Sequence, residues 1–209
     1  QKKNKRMATY LELGANRKRA LNWDAVNISS NYGDKGIILQ DLTELPIRGC
    51  PGSFYDGVYS EHFIEHFYRY QGVNLFKEAY RVLKPGGKIR TVWPSYDYVE
   101  YLVSDEDLSN DPFVQHYYQR YCVQERFQAK GHERKRPQEQ VALGLLHQKG
   151  EHLYLWRVEE MKETLTALGF DNVKECQYGK SSVTGFNGID SPGEIRAMHS
   201  TVIEASKPW

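Results

Sequence analysis

The chain has 209 residues and a mass of 24.3 kDa, and its 40% hydrophobic content suffices for a sizeable core in one domain. A formal charge of +1 argues against a nucleic-acid partner, and no apolar run approaches the ~18 residues of a membrane span, so a soluble, cytoplasmic protein is expected. Cys50, Cys122 and Cys176 are odd in number and widely scattered, which argues against a disulfide framework or a cysteine zinc site.

After the basic opening QKKNKR, read as a solvated end, residues 8–16 (ATYLELGAN) form an apolar strand with Glu12 and then Gly14 at its end. Open parallel sheets bind nucleotides at such strand ends, where the carboxyl edge opens. A second strand, 24–28, follows after too few residues for a full helix. Residues 36–47 (GIILQDLTELPI) give a third strand whose Ile37, Ile38 and Leu39 suit burial on both faces, with Asp41 and Leu42 at its exit.

Residues 56–95 read as a strand (56–60), a helix opening on Glu61, a second amphipathic helix (73–83), a PGG turn and a buried strand (88–93). Pro85 cannot continue a helix, and Gly86 and Gly87 permit the backbone reversal. Val73, Phe76, Ala79, Tyr80 and Leu83 recur at helical spacing and should pack on the sheet. Strand, helix and strand make a right-handed parallel crossover. His62, Glu65 and His66 fall on neighbouring parts of one predicted helix surface, a spacing that suits a divalent metal or a pocket wall without one.

From 96 to 150 the rhythm breaks into two helices split near Ser109 to Pro112 and a charged segment, GHERKRPQEQ. A helix over 158–168, a sixth strand over 170–177, a glycine-punctuated loop and a last strand over 201–207 complete an α/β chain.

SEHFIEHF followed by RVLKPGGKI resembles the fourth and fifth strands, with their helices, of class I S-adenosylmethionine (SAM) dependent methyltransferases. YLELGAN and NWDAVNIS resemble the LNLGCGN and GWINVDIS segments of a small bacterial methyltransferase group. GEHLYLWRVEEMKETLTALGF is similar to that group's GHxxLYTPEELxxLLxxAGF, and HSTVIEASKP to its ESLYVEAxKP ending. The resemblance covers 8–95 and 150–209. It implies a Rossmann-like fold with a seven-stranded, mostly parallel sheet, the last strand antiparallel and beside the fifth. Residues 1–209 form a single domain in this reading, with 96–150 as a helical insertion on the acceptor side.

The resemblance also implies SAM as cofactor, bound by Glu12, Gly14, Ala15, Asn16, Asn27, Asp41, Leu42 and Ser60. Asn16 stands where a second glycine is usual. Asn27 stands where an acid binds the ribose hydroxyls, and the loss of charge assistance there weakens affinity roughly fivefold, ~1 kcal/mol. Asp41 and Leu42 are placed at the adenine ring, capping of the loop being the other role open to Asp41. His152 is the candidate general base, with a loop-capping role as its alternative, and His62 and His66 are candidate catalytic residues lining the pocket. Trp93, Tyr96, His147, Tyr154 and Arg196 are candidates for the acceptor wall; Arg196 has the alternative of pairing with Asp190. The expected reaction is O-methylation of a small-molecule acceptor, a sugar or glycan precursor. The HxxEH segment also resembles the ExxEH of metal-dependent small-RNA 2′-O-methyltransferases, with His62 at the first Glu. A metal at His62, Glu65 and His66 is not the favoured reading. A degenerate, methyltransferase-like partner protein is the other alternative, motivated by Asn16 and Asn27.

Overall fold

Tyr10–Leu13, all four buried, form β1 at the centre of a seven-stranded sheet. The computed structural model describes residues 9–15, 20–28, 36–123 and 136–209, so Asn16, the basic opening and residues 131–135 of the charged segment lie outside the described residues. The other strands are β2 (Trp23–Asn27), β3 (Ile37–Leu39), β4 (Tyr55–Glu61), β5 (Leu83–Pro94), β6 (Asp171–Glu175) and β7 (Ser200–Ser206). Their order is β3-β2-β1-β4-β5-β7-β6, with β3 to β5 parallel and β7 antiparallel to both of its neighbours. This is the expected Rossmann-like arrangement.

Alternation along the central strands gives the sheet two apolar faces. Leu11, Leu13, Val58, Ile89 and Trp93 pack with Leu75, Phe76 and Ala79 of α1 (Arg69–Val82) and with Met161 and Leu165 of a helix near the carboxyl end. Tyr10, Tyr59 and Val92 point the other way, to Trp23 and Phe186. The segment after β5 builds α2 (Tyr96–Leu102), α3 (Pro112–Tyr117), a π-helical turn (Tyr118–Val123) and α4 (Pro137–His147). These helices have their own core of Val99, Leu102, Phe113, Val141 and Leu145. The helices α5 (Val158–Ala167) and α6 (Glu194–His199) precede β6 and β7. Among the described residues, no helix is long and apolar enough to cross a membrane.

Three local expectations are corrected. No helix opens on Glu61: β4 continues through that residue, His62 turns the chain with φ +46°, and only a 3-10 turn, Ile64–His66, precedes α1. The His62 amide donates to Val92 O at 2.8 Å, so the chain leaves the sheet through a β-type bond. Secondly, β3 is an edge strand, not one buried on both faces; Leu39 is 57% exposed because nothing pairs with its outer side among the described residues. Finally, the PGG segment lies within β5 as an irregularity: Tyr55 pairs with Leu83 and Gly57 with Lys88.

Arg90, on the Tyr59 face of the sheet, is fully buried. Its guanidinium donates to both carboxylate oxygens of Asp190 and, at 2.7 Å, to Glu204 Oε1. Asp190 also accepts from Tyr59 and from the Gly179 amide, which ties the 178–193 loop beneath the sheet. Asp190 is thus committed to Arg90 and not to Arg196. Removing one partner strands a buried charge, so Asp190→Ala should destabilise the fold by about 3–5 kcal/mol. Urea unfolding followed by circular dichroism checks this.

Candidate active site

Strand order reverses between β1 and β4, and at such a switch point the carboxyl ends diverge into a crevice. A cavity of about 500 Å³ opens there, lined by Gly14, Asn27, Asp41, Leu42, His62 and Phe63 among others. Gly14 turns the chain out of β1 at φ +76°, a region that glycine alone enters without cost. The Phe63 ring lies against it: a methyl group built on Gly14 would fall 2.1 Å from Phe63 Cδ2. At the end of β2, Asn27 Nδ2 donates to Ala15 O (3.1 Å) and Oδ1 accepts from the Ile28 amide (2.7 Å). Asp41 Oδ1 accepts from the amide and hydroxyl of Thr43, which hold its carboxyl below the usual range.

A second cavity, about 580 Å³, lies between the carboxyl edge of the sheet and the helical insertion. Its wall includes His62, His116, His152, Arg196 and His199. His62 is common to both cavities. Its Nε2 sits 2.7 Å from Ser200 Oγ, its Nδ1 3.5 Å from Glu65 Oε1, and its ring 5.3 Å from that of His199. Glu61, at the end of β4, accepts from Tyr178, from Ser191 Oγ and from the Ser191 amide, which closes the loop over this edge.

Burial dominates the site's proton chemistry. It pushes His62 well below the ordinary imidazole range, helped by the charge of Arg196, and lowers His152 and His199 to about 4. Burial raises the Glu65 carboxyl to about 8. Among the described residues, both Glu65 oxygens lack a hydrogen-bond partner.

A family model described as a methyltransferase domain matches residues 8–91. No curated protein matches the chain. Solved structures with the same fold include a SAM-dependent methyltransferase from Archaeoglobus fulgidus, with TM-score 0.54 and 18% identity over 96% of this chain and 86% of that one. A SAM-dependent methyltransferase from Thermotoga maritima aligns with TM-score 0.53 and 15% identity over 97% and 83% of the two chains. A chain of the complex between the Haloferax volcanii Trm112 methyltransferase activator and a methyltransferase aligns with TM-score 0.51 and 13% identity, again over 97% and 83%. Residues 8–91 are thus similar to a methyltransferase domain, and the chain shares its fold with SAM-dependent methyltransferases.

The residues present fit that cofactor. The 500 Å³ cavity is within the range of small-ligand sites, and Asn27 and Asp41 face it with hydrogen-bonding capacity left over. Leu42 supplies an apolar surface beside Asp41. Ala15 is buried behind the Gly14 turn, and Glu12 is buried on the opposite face of β1 from Leu11 and Leu13. Ser60 lines neither cavity; its hydroxyl donates to Thr91 Oγ1 across the strands at 3.0 Å.

In the 580 Å³ cavity the structure brings His62, His152 and Arg196 together and leaves the other expected residues elsewhere. Trp93 is fully buried, and its Nε1 donates to Trp156 O, so it belongs to the core. Tyr96, His147 and Tyr154 line a separate cavity of about 520 Å³, of which His152 forms the shared wall. His66 faces the cofactor cavity. His116, Arg120 and His199 were not expected from sequence. His199 follows directly from its position before β7, whose antiparallel pairing with β5 brings Ser200 opposite Pro94.

Gly14→Ala should weaken S-adenosylhomocysteine binding at least tenfold, because the new methyl meets Phe63 and the residue must hold a left-handed backbone. Calorimetric titration checks this. Stability should also peak near pH 6.5. Between about pH 4 and 6.5 the unfolded chain binds protons that the buried neutral His62, His152 and His199 refuse, so stability rises with pH. Glu65 acts oppositely, staying protonated in the folded state to about pH 8, so its contribution is lost as pH rises from about 4.5 to 8. Urea midpoints at pH 5, 6.5 and 8 in chelator-containing buffer read both limbs.

Proposed function

We propose that this chain is a SAM-dependent methyltransferase that acts on a hydroxyl group of a small polar acceptor, such as a sugar or glycan precursor, held in the 580 Å³ cavity. The observation that carries the reading is that His62 lines this cavity and the cofactor cavity alike. SAM, when bound, supplies an electrophilic methyl group on a sulfonium. Gly14, Asn27, Asp41 and Leu42 hold the cofactor side, and the histidine wall with Arg196 faces the acceptor. Phe113 and Tyr117 offer apolar faces while Arg120, Gln148 and Glu151 offer hydrogen-bonding groups, the mixture that suits a polyhydroxylated ring.

Alignment of the two ligands is the main contribution such a site makes. A hydroxyl nucleophile must also lose its proton, and an imidazole held neutral is in the accepting form. The junction position favours His62 for this role over His152, with Ser200 fixing its ring.

Titration of the purified chain with SAM and S-adenosylhomocysteine is the first test, and micromolar binding is expected. Absence of binding would favour the degenerate partner protein. With a hydroxylated acceptor in hand, His62→Asn should lower kcat by about 10²-fold while changing cofactor affinity little. Asn is the substitution of choice because it tolerates the left-handed backbone at this position. Unchanged turnover would overturn the role.

A further inference from the structure

Glu65, His66 and His152 each offer a ligand atom within 4.8 Å of the other two. His152 is distant in sequence from the adjacent Glu65 and His66, yet the backbone fixes them together: the amides of Leu153 and Tyr154 both donate to Glu65 O, at 2.8 and 3.2 Å. Each imidazole has its Nδ1 on a main-chain carbonyl, Glu151 O for His66 (3.0 Å) and Leu145 O for His152. A nitrogen that hydrogen-bonds a carbonyl carries the proton, so Nε2 of each ring keeps the lone pair. Backbone carbonyls hold metal-ligating histidines in this tautomer. The Glu65 carboxyl is fully buried, neither oxygen has a hydrogen-bond partner among the described residues, and Oε1 lies 3.5 Å from His62 Nδ1. Two imidazoles and a buried carboxyl that no hydrogen bond among the described residues satisfies therefore converge.

We infer that Glu65, His66 and His152 form a binding site for a divalent first-row transition metal at the boundary between the cofactor and acceptor cavities. Two imidazoles and one carboxylate suit zinc or manganese better than magnesium, which prefers oxygen ligands. Bonds of about 2.0–2.2 Å require the ligand atoms to close by roughly 1 Å, within side-chain rotation. His62, 3.5 Å from Glu65, stands as an outer neighbour of the site. His66 faces the cofactor cavity and His152 the acceptor cavity, so the open coordination positions lie where the acceptor hydroxyl is proposed to sit. A hydroxyl oxygen bound there loses its proton more readily, the proton passing to His62, and in this role His152 is a ligand and not a base. The use of the metal rests on the proposed O-methylation; its binding does not.

The test is titration of chelator-treated protein with zinc and with cobalt(II), read by calorimetry and by the visible absorption of the cobalt complex. One equivalent is expected to bind. Glu65→Gln and His152→Ala should each weaken binding at least tenfold with unchanged far-UV circular dichroism, whereas His116→Ala, in the same cavity but outside the cluster, should not. No binding by the wild-type chain, or equal binding by both cluster variants, would overturn the site. A parallel titration with S-adenosylhomocysteine separates the two readings: metal binding without cofactor binding leaves the site standing and removes the methyltransferase reaction.

Discussion

The site depends on how the chain leaves β4. Had a helix begun at Glu61, His62, Glu65 and His66 would have shared one surface, one cavity and one solvent exposure. Instead the His62 amide stays in the sheet's hydrogen-bond pattern with Val92, and the residue itself takes the reversal at φ +46°. A non-glycine residue pays for that backbone, and such strain persists where surrounding contacts over-determine it. Here Ser200 holds the His62 ring and Phe63 fills the space over Gly14. One turn thereby brings consecutive side chains to the two cavities and to the Gly14 loop, and drives Glu65 inward.

The inward direction of Glu65 sets the electrostatics. A carboxyl with no hydrogen-bond partner in a fully buried position must either keep its proton or meet a cation, because an isolated buried charge is too costly. The same desolvation keeps the neighbouring imidazoles neutral. Neutral nitrogen lone pairs beside a carboxyl are a donor set, not a salt-bridge network. Arg90 shows the contrasting solution on the other side of the sheet: its charge is retained because two carboxylates surround it.

Much of this architecture was legible in the sequence, for a physical reason. Parallel strands buried on both faces and a helix with an apolar stripe leave periodic signatures, so β1 and β4 are legible near their observed bounds, whereas α1 begins four residues and β5 five residues before the expected start. β3 misled because three successive apolar residues look alike whether a strand is central or at an edge; only the pairing partner distinguishes them. The site was legible in its residue types but not in its geometry. Glu65, His66 and His152 could be named one by one, whereas the contact between the 65–66 and 151–154 segments is a backbone hydrogen-bond pairing with no side-chain signature. Trp93 went astray for a related cause: an aromatic residue at the end of a strand packs inward as readily as it faces a ligand.

Asn27 illustrates how a departure from a family pattern can have a local cause. An acid at this position has no proton to give, and at the end of β2 the nearest demand is for a donor: the Ala15 carbonyl, 3.1 Å from Asn27 Nδ2. A carboxylate placed there would face that carbonyl oxygen with like partial charge. The amide instead ties the end of β2 to the turn that follows β1, while Oδ1 receives the Ile28 amide. One N–H and one oxygen lone pair remain on the cofactor side. The side chain thus retains one donor and one acceptor for a ligand's two hydroxyls, and the charge-assisted gain is exchanged for a brace on the loop that carries Gly14.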